Sequence, residues 1–113
     1  MKYMYLLFTL GRENGRIEKW KIQKEEYDNG MKYYIERPKD SLLRGRYKVL
    51  VIDEKYMAHN EVIIAAFSPK CALLKHIMHL NNEIIDFGER LGNKVEIIYS
   101  QIHQAKKELE RYL

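Results

Sequence analysis

The hydrophobic pattern of this 113-residue chain changes its period at Ser68-Pro69. Before this point the apolar residues form short runs, several of which end at glycine or aspartate, a pattern typical of β-strands. After it they recur every three or four residues, as in amphipathic helices. The sequence therefore predicts a single α+β domain over residues 1–113, with the strands in the first two thirds and the helices in the last third.

The first part of the chain predicts an antiparallel sheet of four or five strands. Residues 3–10 are nearly all apolar and are expected to form a central strand that is covered on both faces. Asp28-Asn29-Gly30 favours a type I′ hairpin turn, because Asn and Gly tolerate positive φ angles. Residues 17–27 fit either a strand or a helix, and the turn after them favours the strand. Further strands are predicted over 31–35, 47–52 and 61–67, with a long loop over 36–45.

The last third predicts a two-helix hairpin that covers one face of the sheet. Ser68 is a suitable N-cap, and Pro69 suits the first position of a helix. Gly92 is expected to end this helix, and Asn93 with Glu96 fits a capping box for the next one. A short strand over 95–99 is the alternative, but an apolar stripe that continues for five turns favours a helix.

The first predicted helix carries two apolar stripes. Leu74, Met78 and Ile85 form the second stripe, about 100° from the first around the helix axis. Two apolar stripes need two covering elements, one for each. The sheet is one of them, and the other is either the last helix or a second copy of the chain, so the sequence allows a homodimer through these three residues.

The positive charge of the protein is concentrated in its first half. Residues 1–57 carry 13 basic and 9 acidic side chains, whereas residues 58–113 carry 7 of each, so the net charge of +4 comes from the first half. Residues 32–48 contain six basic side chains with three tyrosines among them, which suits contact with a phosphate-rich ligand or with an acidic protein. The residues predicted to bind a partner are Trp20, Tyr33, Tyr34, Arg37, Lys39, Arg44, Arg46 and Tyr47.

These features predict a small non-catalytic binding or regulatory protein, of the adaptor or inhibitor type, that docks on a protein or nucleoprotein. Small domains of this kind are common in mobile elements. A nucleic-acid-binding protein that uses the same surface is the alternative. A magnesium-dependent nuclease is a remote alternative, because Asp40 followed by Asp53, Glu54 and Lys55 loosely fits the carboxylate-and-lysine pattern of such enzymes. The sequence shows no P-loop, dinucleotide fingerprint or nucleophile elbow, and it implies no cofactor.

Two further groups of residues bear on metal binding and on the cellular compartment. His76, His79 and Glu83 have spacings that place them on one flank of the first helix, where a zinc site is a minor hypothesis beside ordinary packing at the edge of the apolar stripe. Cys71 is the single cysteine, which excludes an internal disulfide, and we expect a small, buried or partly buried thiol there. With no run of about 18 apolar residues, the chain is expected to be cytoplasmic and without a membrane partner.

Overall fold

The computed structural model describes residues 2–45, 47–54, 58–60 and 63–113, with only the backbone described for 58–60. The strands are β1 (Tyr3–Phe8), β2 (Ile17–Glu26), β3 (Lys32–Glu36), β4 (Val49–Asp53), β5 (Ala58–Asn60) and β6 (Ile63–Ala66). The helices are α1 (Pro69–Leu91) and α2 (Lys94–Leu109), with short 3-10 turns at Gly11–Glu13 and Glu110–Tyr112.

All these strands belong to one antiparallel sheet with the order β4-β3-β2-β1-β6-β5. Five of the strands have four or more residues, and the three-residue β5 lies at one edge. β1 is central, as predicted. The edge strands β4 and β5 approach each other to within 8 Å between Cα atoms, so the sheet is strongly curled.

The inner face of the curled sheet encloses the main core. The side chains that fill it alternate along the strands with outward-facing ones, as the two-residue period of a strand requires. In β2, for example, Trp20 is fully buried while Lys19 and Lys21 on either side are exposed. The inward-facing core residues are Met4, Leu6, Phe8, Trp20, Tyr33, Ile35, Leu50, Ile52, Ile63 and Ala65.

The outer face is covered by α1 where β1 and β6 lie. Leu7 of β1 and Ile64 of β6 pack in one cluster with Ala72 and Leu73 from the first turns of α1. α2 packs along α1 in a separate cluster that contains Leu80, Ile98 and Ile102. The predicted α+β architecture, with an antiparallel sheet followed by a two-helix hairpin on one face, is confirmed.

The structure decides both ambiguous segments. The segment that begins at Ile17 is strand β2, and the hairpin turn after it has positive φ at Asn29 (54°) and Gly30 (111°), as predicted. Residues 95–99 lie in α2, so the alternative of an edge strand there was wrong.

The helix ends confirm two predictions and contradict a third. The Ser68 hydroxyl accepts a hydrogen bond from the backbone N–H of Cys71 at 3.1 Å, and Pro69 follows it, so α1 begins as predicted. Gly92 ends α1 with a φ of 55°. The predicted capping box was wrong, because Asn93 already has helical dihedral angles and its side chain makes no capping hydrogen bond. Gly92 makes a tight turn, and the backbone of Asn93 directly after it is already helical.

The loop after β3 is fixed to the sheet by the buried carboxylate of Glu18. One oxygen, Oε1, accepts hydrogen bonds from the Trp20 indole at 3.0 Å and from the Ser41 hydroxyl at 2.6 Å. The other, Oε2, accepts from the backbone N–H of Leu42 at 2.6 Å and from the Arg16 guanidinium at 3.2 Å. A carboxylate with four donors and one cationic partner is well compensated for its burial.

This contact brings the loop over one end of the curled sheet. Arg16 also donates to the carbonyl of Asp40 at 2.7 Å, and Arg37 donates to the carbonyl of Leu43 at 2.7 Å. Leu42 and Leu43 then pack against the main core as partly buried side chains. Between Glu36 and Val49, the described residues form no regular element, so the predicted long loop is present without a helical turn at the two leucines.

We expect Glu18→Ala to lower the free energy of unfolding by about 3 kcal/mol, because it leaves the buried indole donor and the partly buried hydroxyl and amide donors without their acceptor. Urea denaturation measures the change. Glu13→Ala, which removes an exposed carboxylate from the turn before β2, is the control and should change stability by less than about 0.5 kcal/mol. Equal effects from the two variants would contradict the role assigned to Glu18.

Candidate binding surface

The outer face of β2, β3 and β4 forms a continuous surface beside the part that α1 covers. The strand registers order its side chains in rows that run across the sheet. One row contains Lys24, Tyr34 and Val51. The next contains Lys21, Glu36 and Val49. We call this the outer surface, and its members are Lys19, Lys21, Lys24, Tyr34, Glu36, Val49 and Val51.

Strand β4 exposes apolar side chains along this surface. Val49 is 38% exposed and Val51 is 45% exposed, whereas Leu50 and Ile52 between and after them are buried in the core. Tyr47, two residues before Val49, is 43% exposed. Two apolar side chains at alternate positions of this edge strand, and a third just before it, therefore lie in contact with water.

Lysines lie over the tyrosine rings of this region. The ammonium of Lys19 is 4.0 Å from the centre of the Tyr3 ring, and that of Lys24 is 5.5 Å from the centre of the Tyr34 ring. These are cation–π distances. One face of each of the two rings is thus already occupied by a cation of the same chain.

Glu26 connects Lys24 and Tyr34. It forms an ion pair with Lys24 at 2.6 Å and accepts a hydrogen bond from the Tyr34 hydroxyl at 2.8 Å. These two hydrogen bonds lower the pKa of Glu26. The hydrogen bond to Glu26 in turn raises the pKa of Lys24 and the pKa of Tyr34. At neutral pH the group is therefore a fixed pair of opposite charges with a neutral phenol.

The loop at the end of β3 supplies exposed positive charge next to this surface. Lys39, Arg44 and Lys48 are exposed, and the backbone N–H of Arg37 bonds to the carbonyl of Lys48 at 3.4 Å, which ties the loop to the start of β4. Arg37 is half-buried, and its guanidinium is used within the loop. Arg46 lies outside the described residues.

Two of the residues predicted to contact a partner are in the core. Trp20 is 0% exposed, with its indole N–H bonded to Glu18, and Tyr33 is 5% exposed. Both point to the inner face, because the side chains of β2 and β3 alternate and their neighbours Lys21 and Tyr34 point outward. Trp20 and Tyr33 are therefore not part of the outer surface, whereas Val49 and Val51, which were not singled out from the sequence, are part of it.

Comparison with protein-family models, curated proteins and solved structures finds no match to this chain. The functional assignment therefore depends on the chemistry of its own surfaces.

A cleft of about 510 Å³ lies at the opposite end of the curled sheet from the Glu18 contact. Tyr33 and Phe67 form an edge-to-face pair there, with ring centres 5.2 Å apart. Burial raises the pKa of Tyr33, and the carboxylates of Glu54 and Glu25 raise it further. Lys2 lies 3.6 Å from Glu25. The cleft lining is completed by Tyr27, Gly30 and Met31, and it includes no Ser, Cys or His among the described residues.

The metal hypotheses are not supported in the described part of the chain. No group of three or more His, Cys, Asp or Glu side chains there could hold a metal ion. His76 is buried, whereas His79 and Glu83 are exposed, so the three side chains of the minor zinc hypothesis are not brought together. For the nuclease pattern, Asp40 lies in the loop at one end of β4 while Asp53 ends that strand, and Lys55 is outside the described residues.

Two further predictions concern the burial of Cys71 and a membrane-spanning helix. Cys71 is exposed rather than buried or partly buried, because it lies one position before Ala72 on the first turn of α1 and points away from the sheet. Neither helix, nor any other helix in the described ranges, has the length and hydropathy needed to span a membrane.

The protein should become less stable as the pH decreases, because of the titration of His76. Burial lowers the pKa of His76 and neighbouring His79 adds to the lowering, so the unfolded chain takes up a proton at a higher pH than the folded protein does. We expect the free energy of unfolding to decrease as the pH falls below about 6.5, and His76→Gln to flatten that dependence. Urea denaturation at pH 8 and pH 5.5 measures it, with His103→Gln on the exposed side of α2 as the control. An unchanged slope in His76→Gln would contradict the assignment.

Proposed function

We propose that this protein is a non-catalytic binding protein of the adaptor or inhibitor type that docks on an acidic protein through the outer surface and the basic loop beside it. The supporting observation is the exposed pair Val49 and Val51 on β4, with exposed Tyr47 two residues before the strand begins. Apolar side chains surrounded by charged ones are the usual composition of a protein-binding surface, with a dry centre and a polar rim.

The cations around these apolar side chains favour an acidic partner. Lys39, Arg44 and Lys48 lie at one end, and Lys21 lies in the same row as Val49. Their charges accelerate encounter with a negative surface and suppress association with a positive one. The apolar side chains then contribute the contacts that slow dissociation.

The arrangement of the lysines favours a protein over single-stranded nucleic acid. Bases stack on open aromatic faces, but Lys19 and Lys24 already occupy one face of the Tyr3 and Tyr34 rings. The hydroxyl of Tyr34 is also engaged by Glu26. The outer surface therefore presents mainly lysine ammonium groups and valine methyl groups rather than open rings.

Affinity capture from cells that produce the protein tests this proposal. We expect one stoichiometric protein partner, retained after nuclease treatment by the wild type and lost by a Val49→Ser/Val51→Ser double variant. Tyr27→Ser, which changes a side chain that is 76% exposed in the β2–β3 turn, is the matched control and should retain the partner. Retention by the double variant, or the absence of any stoichiometric protein, would contradict the proposed surface.

A nucleic-acid ligand is the second candidate, and the exposed cations Lys39, Arg44 and Lys48 are the observation that favours it. If it is correct, binding to labelled single- and double-stranded oligonucleotides will weaken by at least about tenfold between 50 and 200 mM salt. Arg44→Ala should weaken it further at low salt, whereas Val51→Ser should leave it unchanged. Absent or salt-insensitive binding removes this candidate.

A further inference from the structure

Helix α1 has an apolar side that the rest of the chain leaves in contact with water. Leu74, Met78 and Ile85 are 45%, 52% and 77% exposed. Ala72 and His76, which are buried, each lie two residues before an exposed member, or about 200° away around the helix. The apolar side therefore faces away from the part of α1 that is packed into the fold.

The residues along this side have the spacing of a coiled-coil seam, and the order of the spacings is the same from either end of the helix. The positions Cys71, Leu74, Met78, Asn81, Ile85 and Gly88 are separated by 3, 4, 3, 4 and 3 residues. Such 3-4 spacing keeps side chains on one line toward a neighbouring helix. Because the steps are palindromic, an antiparallel second copy of α1 meets the same positions in reverse, with Leu74 opposite Ile85, Met78 opposite Asn81 and Cys71 opposite Gly88.

The charges of α1 favour the antiparallel orientation. Its first half contains Lys70 and Lys75 and no acidic residue. Its second half contains Glu83, Asp86, Glu89 and Arg90. Positive charge at the start of a helix and negative charge toward its end both oppose the helix dipole. An antiparallel copy places acidic residues beside the lysines at each end, whereas a parallel copy places like charges together.

We propose that two copies of this chain associate through this side of α1, antiparallel and with the two-fold axis between Met78 and Asn81. The interface is isologous, since each copy contributes the same residues. Asn81 is the one amide at the centre of an otherwise largely apolar seam, and a single polar residue at such a position favours one register over its neighbours.

Disulfide trapping tests the register. A Gly88→Cys variant, under mild oxidation, should form a covalent dimer, because its new thiol lies opposite Cys71 of the second copy. Nothing lies within 4 Å of a Cβ built at Gly88, so the substitution is tolerated. The wild type should stay uncrosslinked, because its two Cys71 residues are 17 positions apart along the seam, or about 25 Å. Gly88→Cys/Cys71→Ser is the control and should also stay monomeric on a non-reducing gel.

Sedimentation over a range of concentrations tests the association itself. We expect the wild type to shift from 13.6 kDa toward twice that mass as its concentration rises. Ile85→Glu should raise the dissociation constant by at least about tenfold, whereas Ile97→Glu, at an apolar position of α2 that is 61% exposed and outside the seam, should not change it.

A charge exchange separates a folding defect from the loss of an interface. Lys75 and Asp86 of the second copy lie on the same flank in this register, about 3 Å apart along the axis. Lys75→Glu should weaken association and Lys75→Glu/Asp86→Lys should restore it. A wild type that remains at 13.6 kDa at all concentrations, or a Gly88→Cys variant that does not crosslink, overturns the proposal.

Discussion

The carboxylate of Glu18 determines how one end of this sheet is closed. A curled sheet of short strands leaves its core open to water at both ends, and Leu42 and Leu43 cover this core at one of them. The loop that carries them forms no helix or strand in its described residues, and the bonds from Ser41 and Leu42 to Glu18 fix it together with those that Arg16 and Arg37 donate to its carbonyls. The same contact places the exposed cations of that loop beside the start of β4.

The elements with strong local signals could be predicted from the sequence. α1 has a capping serine, a proline at its first position and a glycine at its end, and each of these acts on the backbone within a few residues. The turn at Asn29-Gly30 likewise depends only on its own dihedral angles. The short strand β5 has no comparable signal, because three residues carry no period and the strand exists only through pairing with β6.

The candidate surface could be predicted only in part, for reasons that concern the faces of strands. The run Val-Leu-Val-Ile in β4 is apolar at every position, so the sequence does not show that Val49 and Val51 face outward. Trp20 lies between two lysines, and the alternation alone indicates that it faces the core, but its indole N–H needs an acceptor there. That acceptor is Glu18. A strand pattern does not predict an acidic residue on the inner face of a sheet, two positions from a buried tryptophan.

The two proposed surfaces lie on different elements and differ in their composition. The seam on α1 is apolar and self-complementary, whereas the outer surface is basic, and two positive surfaces repel each other, so self-association is directed to the helix. A dimer formed through α1 carries the outer surface twice. Two such surfaces that engage one assembly raise the effective concentration of the second contact, so each can be weak on its own.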